Sequence, residues 1–206
     1  MSDRATITEA QRAVLLKLAP VLREDFYLVG GVAVAAHLAH RTSRDVDLFA
    51  TRDPSDLRPQ LEHLPGVEIK GRAPGTLHLR VDEIPVSLIE YRYPLIAPTL
   101  SMMNLPVPVA SIDDLACMKL SAIAGRGAAR DFWDLHTIVT RTGRPLIEFM
   151  DAFRRKYPIE DIGHVLRSLV YFGDAGDLLP EGLSTSHWGQ IQRDFEAWVQ
   201  AAFETR

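Results

Sequence analysis

The sequence has 206 residues, enough for one domain or two small lobes and too few for a large multidomain protein. Its composition, 47% hydrophobic and 24% charged, is typical of a folded globular chain and excludes disorder as the main state. A formal net charge of −4 excludes a protein that coats nucleic acid without regard to sequence, although a local basic patch is compatible with it.

Cysteine content and apolar runs indicate where the protein is found. The single cysteine, Cys117, rules out an intrachain disulfide and a cysteine-based zinc cluster. No apolar run reaches the about 18 residues that span a bilayer, and the polar start MSDRATITEAQ lacks the apolar core of a secretory signal. We therefore expect a cytoplasmic protein with no membrane partner. Cys117 lies between Ala116 and Met118 on a predicted helix, which indicates a buried, unreactive thiol.

The first 108 residues mix predicted helices and strands. Thr8 and Gln11 have capping-box spacing and predict a helix to about Leu22. Short apolar or alternating runs predict strands at 26–29, 46–49, 67–70, 77–81 and 86–91, the last two as a hairpin. Further helices are predicted at 32–40 and 53–64. The segment 94–108 is rich in proline and predicts a lobe boundary.

The second half is predicted to be helical throughout. A helix opens at Ser111, with Asp114 at capping-box spacing, and ends near Ala124 before Gly125-Arg126-Gly127. Further helices are predicted at 129–140, 145–157, 159–172 and 188–203. We therefore expect an α/β fold in two lobes, with a mixed sheet in residues 1–108 and helices in residues 109–206.

The sharpest chemical signal is Asp45-Val46-Asp47 on a predicted strand. Strand side chains alternate, so Asp45 and Asp47 point to one face while Val46 and Leu48 face the core. Neighbouring carboxylates repel one another unless a cation lies between them. Mg²⁺ takes one or two protein carboxylates and completes its shell with substrate phosphate. Alone, the motif is also typical of two solvated acids at a sheet edge.

Two further features precede these acids. Gly30-Gly31 leaves bare backbone at the start of a predicted helix, where free N–H groups bind phosphate oxygens. Ser43 adds a hydroxyl beside the two acids. A glycine pair alone is usually a turn. Together, in this order, these residues favour a nucleotide-phosphate site.

A second group of charged residues lies on the predicted helices of the second half. Its members are Lys119, Arg126, Arg130, Asp131 and Asp134. Asp131 and Asp134 share one helix face. A lysine here can hold a triphosphate or stabilise charge at the attacking oxygen. The other interpretation is a salt-bridge network that ties the helices together.

These motifs, in this order, resemble the AbiEii/AbiGii toxin family, nucleotidyltransferase-like proteins of the DNA polymerase β superfamily in the same broad group as the MenT toxins. The similarity covers roughly residues 8–157 and rests on Gly30-Gly31, on HRTSRDVDLF at 40–49, on KLSAIAGR at 119–126 and on RDFWDL at 130–135. It implies a polymerase β-type core, a helical lobe, and an NTP bound with Mg²⁺, or Mn²⁺, between them. Toxins of the family belong to type IV toxin–antitoxin or abortive-infection systems, and some of the group transfer nucleotides to tRNA 3′ ends.

The resemblance also implies residue roles by matching position. Asp45 and Asp47 would bind the metal, and Lys119 with Asp131 would form the active-site pair of the helical lobe. The implied nucleotide contacts are Gly30, Gly31, Ser43, Arg44, Arg126 and Arg130.

One position departs from the superfamily pattern, which has a third carboxylate on a later strand. Ser87 stands where that acid is expected. Glu90 falls on the opposite face of a regular strand and reaches the site only through a bulge or another register. Three alternatives follow: Glu90 substitutes, Asp131 supplies the carboxylate, or catalysis is weak or lost.

The leading hypothesis is a Mg²⁺-dependent nucleotidyltransferase, in which an RNA or protein hydroxyl displaces pyrophosphate from an NTP and a cognate antitoxin exists. A second hypothesis is an NTP-binding or interaction module that no longer transfers. A third keeps the fold and transfers phosphoryl groups to a protein or to the chain itself, with Ser43 as a candidate acceptor. The sequence does not indicate which NTP is used.

Overall fold

A computed structural model describes residues 7–159, 162–176 and 179–204. The chain divides into two compact units, Met1–Ser111 and Ile112–Arg206. Within these residues the strands lie in the first unit and are β1 Tyr27–Val29, β2 Val46–Ala50, β3 Val67–Ala73, β4 Thr76–Val81 and β5 Ile84–Glu90. Its helices are α1 Glu9–Leu18, α2 Gly30–Leu38 and α3 Arg58–Glu62, with a 3₁₀ turn at Pro54–Leu57.

The five strands form one mixed sheet in the order β1-β2-β5-β4-β3. β2 and β5 run parallel and the other neighbours are antiparallel, including the predicted β4–β5 hairpin. The register aligns Leu48, Leu88 and Leu77, all buried, across three neighbouring strands. Because side chains alternate along a strand, the adjacent positions form a polar row on the opposite face. The sheet thus has one core face and one face with chemistry-bearing residues.

Two helix predictions in the first unit need correction, and prolines explain both. The Thr8–Gln11 capping box is present, but α1 ends at Leu18 rather than near Leu22. Pro20 follows, and a proline cannot donate the next helical hydrogen bond. The helix predicted at 53–64 is a 3₁₀ turn followed by α3, with Pro59 in the first turn of α3. Proline at a helix start sets a new first turn and so divides the segment.

The second unit consists of helices. They are α4 Ile112–Arg126, α5 Ala129–Thr142, α6 Leu146–Lys156, α7 Gly163–Ser168 and α8 Thr185–Glu204. α4 continues past the predicted end at Ala124 and stops before Gly127, whose φ of 60° is left-handed. Phe132 packs against Phe172, Trp188 and Phe195, with ring centroids 5.2, 5.7 and 5.3 Å apart. These aromatic contacts tie α5 to α8.

The helix predicted at 159–172 is much shorter than expected. Residues 160 and 161 lie outside the described part of the chain, and in the rest only Gly163–Ser168 is α-helical. After Ser168 the backbone tightens, with the Val170 N–H donating to Arg167 and the Tyr171 N–H to Ser168, each at 3.3 Å. Such three-residue bonds commonly end a helix. No helix in the described part of the chain has the length and apolar character to cross a membrane.

Cys117 lies fully buried in α4, as predicted. Burial raises the pKa of its thiol to about 12, so the thiolate is scarce at neutral pH. We expect the native protein at pH 8 to resist a thiol reagent such as DTNB and the denatured protein to react with one equivalent. Native labelling as fast as that of a free thiol would contradict this burial.

Candidate active site

Asp45 and Asp47 lie at the start of β2. Asp47 lies within β2 and is half-buried. Asp45 is exposed and lies directly before Val46, the first residue of β2. Val46, between the two aspartates, and Leu48, directly after Asp47, are both fully buried, as the alternation predicts. The sequence placed Asp45 on the strand, but regular pairing starts only at Val46. Two oxygen-rich side chains therefore mark the start of the strand.

The glycine pair at the start of α2 lies directly against this region. A Cβ on Gly30 would lie 2.4 Å from Asp47 Oδ2, and a Cβ on Gly31 would lie 2.6 Å from Ser43 Oγ. A side chain at either glycine would force these neighbouring side chains to move. The structure brings together Gly30, Gly31, Ser43 and Asp47, which the sequence analysis grouped by order alone.

α2 starts against Asp47 and has no side-chain cap. α2 begins at Gly30, and its N-cap residue Val29 makes no side-chain capping hydrogen bond. The first N–H groups of a helix have no partner within that helix, and their dipoles attract negative charge. Phosphate oxygens are natural ligands for such a helix start beside bare glycine backbone.

Gly30→Ala tests how closely this group is packed. Gly30 has φ +70°, and an alanine there meets both backbone strain and the Asp47 carboxylate. Gly143→Ala is the matched control, because its φ is +67° and a Cβ there meets nothing within 4 Å. Strain alone costs about 1–2 kcal/mol, so we expect Gly30→Ala to lower the free energy of unfolding in urea by more than Gly143→Ala. Equal effects would contradict the contact with Asp47.

Gln11 and Arg41 are buried, and both contact the group formed by the glycine pair, Ser43 and Asp47. The sequence did not predict these contacts. Gln11 Nε2 donates to the backbone oxygens of Ser43 at 2.5 Å and Arg44 at 3.3 Å, while its Oε1 accepts from the Thr8 N–H. The capping-box residue thus also holds the loop that carries Ser43. Arg41 Nη1 donates to the Thr42 oxygen, and its Nη2 would lie 2.6 Å from a Cβ on Gly31. The capping spacing revealed Gln11 as a helix residue but gave no sign of its contact with the loop.

The third-carboxylate position is occupied by Ser87, which pairs with Asp47 in the parallel register. β5 pairs with both neighbours without a register shift, so Glu90 shares the face of Val86 and Leu88. The Glu90 carboxylate pairs with Arg92 Nε at 2.8 Å. The structure therefore does not bring Glu90 to the face of Asp47.

In the helical unit, the charged residues form a compact network. Buried Lys119 Nζ lies 2.9 Å from Asp131 Oδ1 and 2.6 Å from Asp134 Oδ2, and both carboxylates are fully buried. Arg126 donates to both oxygens of Asp131, at 2.7 and 2.9 Å. Arg130 is exposed on α5. Both interpretations of the sequence, a site and a structural network, predict that Lys119 and Asp131 meet.

The charge state of Asp131 follows from these neighbours. Burial acts to raise its pKa, but the positive charges and hydrogen bonds of Lys119 and Arg126 outweigh burial, so the pKa lies below its usual value. Asp131 therefore stays ionised at neutral pH. It accepts hydrogen bonds and holds two cationic side chains in place.

The available donors set limits on a metal site. Among residues 7–159, 162–176 and 179–204, no group of three or more His, Cys, Asp or Glu side chains is arranged to hold a metal ion. Asp47 supplies hard carboxylate oxygens against Gly30 at the start of α2, and the exposed Asp45 carboxylate lies two residues earlier in the chain. That donor set fits Mg²⁺, which commonly binds through one or two carboxylates and substrate phosphate.

Solved structures share this fold. MenT4, a nucleotidyltransferase toxin from Mycobacterium tuberculosis H37Rv, matches with a TM-score of 0.61 and 19% identity, over 93% of this chain and 82% of that one. ANT(2″)-Ia, solved with adenylyl-2″-tobramycin, matches with a TM-score of 0.57 and 16% identity, over 72% of this chain and 99% of that one. The fold is that of the polymerase β-type nucleotidyltransferases, as predicted.

Sequence comparison gives the family. Residues 65–203 match the model of the nucleotidyl transferase AbiEii toxin of type IV toxin–antitoxin systems, so the chain belongs to the AbiEii family. An uncharacterised protein of Aquifex aeolicus (strain VF5) is 32% identical over 203 residues, 96% of this chain and 98% of the relative. The family inferred from the motifs is confirmed. The matched range includes Lys119 and Asp131 and begins after the glycine and aspartate group.

Proposed function

We propose that this protein is a Mg²⁺-dependent nucleotidyltransferase that moves a nucleoside monophosphate from an NTP to an acceptor hydroxyl. The observation that carries the proposal is the packing of Gly30 on Asp47 and of Gly31 on Ser43. It joins one carboxylate suited to a cation to a helix start suited to phosphate. Membership of the AbiEii family supports the same reaction class.

In this proposal, Asp45 and Asp47 hold the metal ion. Bound Mg²⁺, or Mn²⁺ in its place, neutralises charge on the triphosphate. The N–H groups at the start of α2, the Ser43 hydroxyl and the Arg44 side chain bind phosphate oxygens. Gln11 keeps Ser43 in position through the loop backbone. Holding the triphosphate in one orientation lowers the entropic part of the barrier.

In the helical unit, we assign Lys119, Arg126 and Arg130 to contacts with nucleotide phosphates. Asp131 holds the Lys119 ammonium and the Arg126 guanidinium through direct ion pairs. Fixed cations stabilise developing negative charge without reorganising during the reaction. The same ion pairs contribute to folding, so variants at these positions need a stability measurement beside an activity measurement.

The family supports a proposal for the acceptor and for a partner protein. AbiEii proteins are toxins of type IV toxin–antitoxin systems. We propose that the acceptor is an RNA, with the tRNA 3′ end as the first candidate and a protein hydroxyl as the second, and that a cognate antitoxin opposes the activity. Ser87 in place of the usual acid is the observation that favours a second candidate function, an NTP-binding module without transfer.

The test offers each of four α-³²P-labelled NTPs in turn, with Mg²⁺, to the full chain together with total cellular RNA and protein. We expect label from one NTP on RNA, lost when EDTA is added. Label on protein alone would replace the RNA acceptor with a protein acceptor. Mg²⁺-dependent NTP binding without any label on RNA or protein would contradict transfer and favour the binding module.

A further inference from the structure

Three side chains stand in one row across the polar face of the sheet. Asp47 on β2 pairs with Ser87 on β5, and Ser87 pairs with His78 on β4. Directly paired residues point to the same face, and neighbouring strands lie about 4.8 Å apart. Ser87 therefore separates a proposed metal ligand from an imidazole.

Ser87 and His78 are also in direct contact. His78 Nδ1 lies 3.3 Å from Ser87 Oγ. On the other side of His78 stands Gly71, where a Cβ would approach the imidazole Cδ2 only to 3.8 Å. The β3–β4 register shifts between Ile69 and Gly71. Irregular pairing of this kind re-aims side chains and is common beside active sites.

The polar face lacks the acid that usually takes the acceptor proton. The residues of β5 on this face are Pro85, Ser87 and Ile89, and none of them titrates. Glu90 points to the other face and pairs with Arg92. Nucleotidyl transfer still requires a group beside the attacking oxygen that accepts a proton. A neutral imidazole hydrogen-bonded to a serine hydroxyl is such a group.

We propose that the Ser87–His78 pair replaces the third carboxylate and receives the proton of the acceptor hydroxyl. This inference rests on the proposed nucleotidyl transfer and names its base. The acceptor hydroxyl gives its proton to Ser87 Oγ while Ser87 gives its own proton to His78 Nδ1. The acceptor oxygen bonds to the α-phosphorus, the bond from that phosphorus to the bridging oxygen breaks, and pyrophosphate leaves with the electron pair. The imidazolium then returns its proton to solvent.

Charged residues near His78 lie on its own strand and on the neighbouring strands. Arg80 lies on the same strand, and Glu68 on β3 pairs with both Arg80 and Lys70. Arg80 also pairs with the exposed carboxylate of Glu83. Asp47 lies on the far side of Ser87. The turn Pro54–Leu57 also packs on β4, and its Asp56 carboxylate pairs with Arg23.

The test compares wild type with His78→Gln and with the double variant Ser87→Asp/His78→Gln. Glutamine keeps a polar contact to Ser87 but takes no proton, so we expect transfer to fall by about 10²-fold with NTP affinity unchanged. The double variant restores a carboxylate at the position beside Asp47, and we expect its transfer rate to be at least tenfold higher than that of His78→Gln.

The pH profile separates a base from a structural residue. Histidine side chains change charge between about pH 5 and 8, whereas carboxylates titrate near pH 4, so the acid limb of the double variant should lie at lower pH. A second readout, independent of turnover, is the ¹⁵N shift of His78 Nδ1, which should change in Ser87→Ala. A His78→Gln variant with the wild-type rate and pH profile overturns the inference and leaves the proposed function standing. Wild type that transfers nothing overturns both.

Discussion

Asp47→Asn should reduce nucleotidyl transfer by about 10³-fold, which corresponds to about 4 kcal/mol of lost transition-state stabilisation. Asparagine preserves the shape that packs against Gly30, so the fold is expected to survive. It removes the negative charge with which Asp47 would hold the cation. The measurement is the initial rate of labelled product at saturating NTP and Mg²⁺, with the urea unfolding curve of each protein alongside.

Glu83→Gln is the matched control for this prediction. Glu83 is a carboxylate of the same unit, 85% exposed at the side chain, and the same chemical change there should leave the rate unaltered. Asp45→Asn should act in the same direction as Asp47→Asn. If Asp47→Asn kept more than a tenth of the wild-type rate with the same metal dependence, Asp47 would not be a metal ligand in the reaction.

Lys156→Met should cause a large loss of stability. The Lys156 ammonium lies 2.7 Å from Asp114 Oδ1, and both side chains are fully buried. Methionine keeps most of the length and apolar character of lysine but leaves the Asp114 carboxylate without this cation. Removing one partner of a buried ion pair costs about 3–5 kcal/mol. Urea unfolding followed by circular dichroism measures this difference in the free energy of unfolding.

Two further variants test whether burial is the cause. Arg154→Met, two residues earlier in α6, removes a charge that is 40% exposed and pairs with exposed Asp151, so its cost should be much smaller. In Asp114→Leu/Lys156→Met both charges are replaced by apolar groups, and stability should recover relative to Lys156→Met. A double variant less stable than Lys156→Met would mean that the buried Asp114 carboxylate left without Lys156 is not the main cost of the single substitution.

Much of the first unit could be predicted from local pattern. The alternation of Val46, Asp47 and Leu48 gave both the strand and its buried face. Thr8 and Gln11 gave the start of α1. These features depend on residues close in sequence, where sterics and hydrogen bonding decide the conformation.

Features that depend on register or on distant contacts could not be predicted. The contact of Gln11 with the Ser43 loop joins segments far apart in sequence. The partnership of Ser87 and His78 requires the strand order and the antiparallel register of β4 and β5. Pro20, by contrast, is a local signal for the early end of α1 that the predicted helix to Leu22 did not take into account.

For the charged residues of the helical unit, the sequence predicted the contacts but not their role. Helical spacing placed Asp131 and Asp134 on one face, and the structure shows both of them on Lys119. Such an arrangement fixes a cation for catalysis and also stabilises a helix pair, so geometry alone supports both roles. Separating these roles requires rates and unfolding free energies measured on the same variants.

The measurement that tests the central claim most directly follows the two ends of the triphosphate. Parallel reactions contain the full chain, Mg²⁺ and the NTP labelled with ³²P at the α or the γ position. They also contain the unlabelled acceptor, RNA or protein, that the NTP screen identifies. Nucleotidyl transfer predicts α label on the acceptor and γ label in released pyrophosphate, in equal amounts. Label from the γ position on the acceptor or on the chain, with none from the α position, would contradict the account and establish phosphoryl transfer instead.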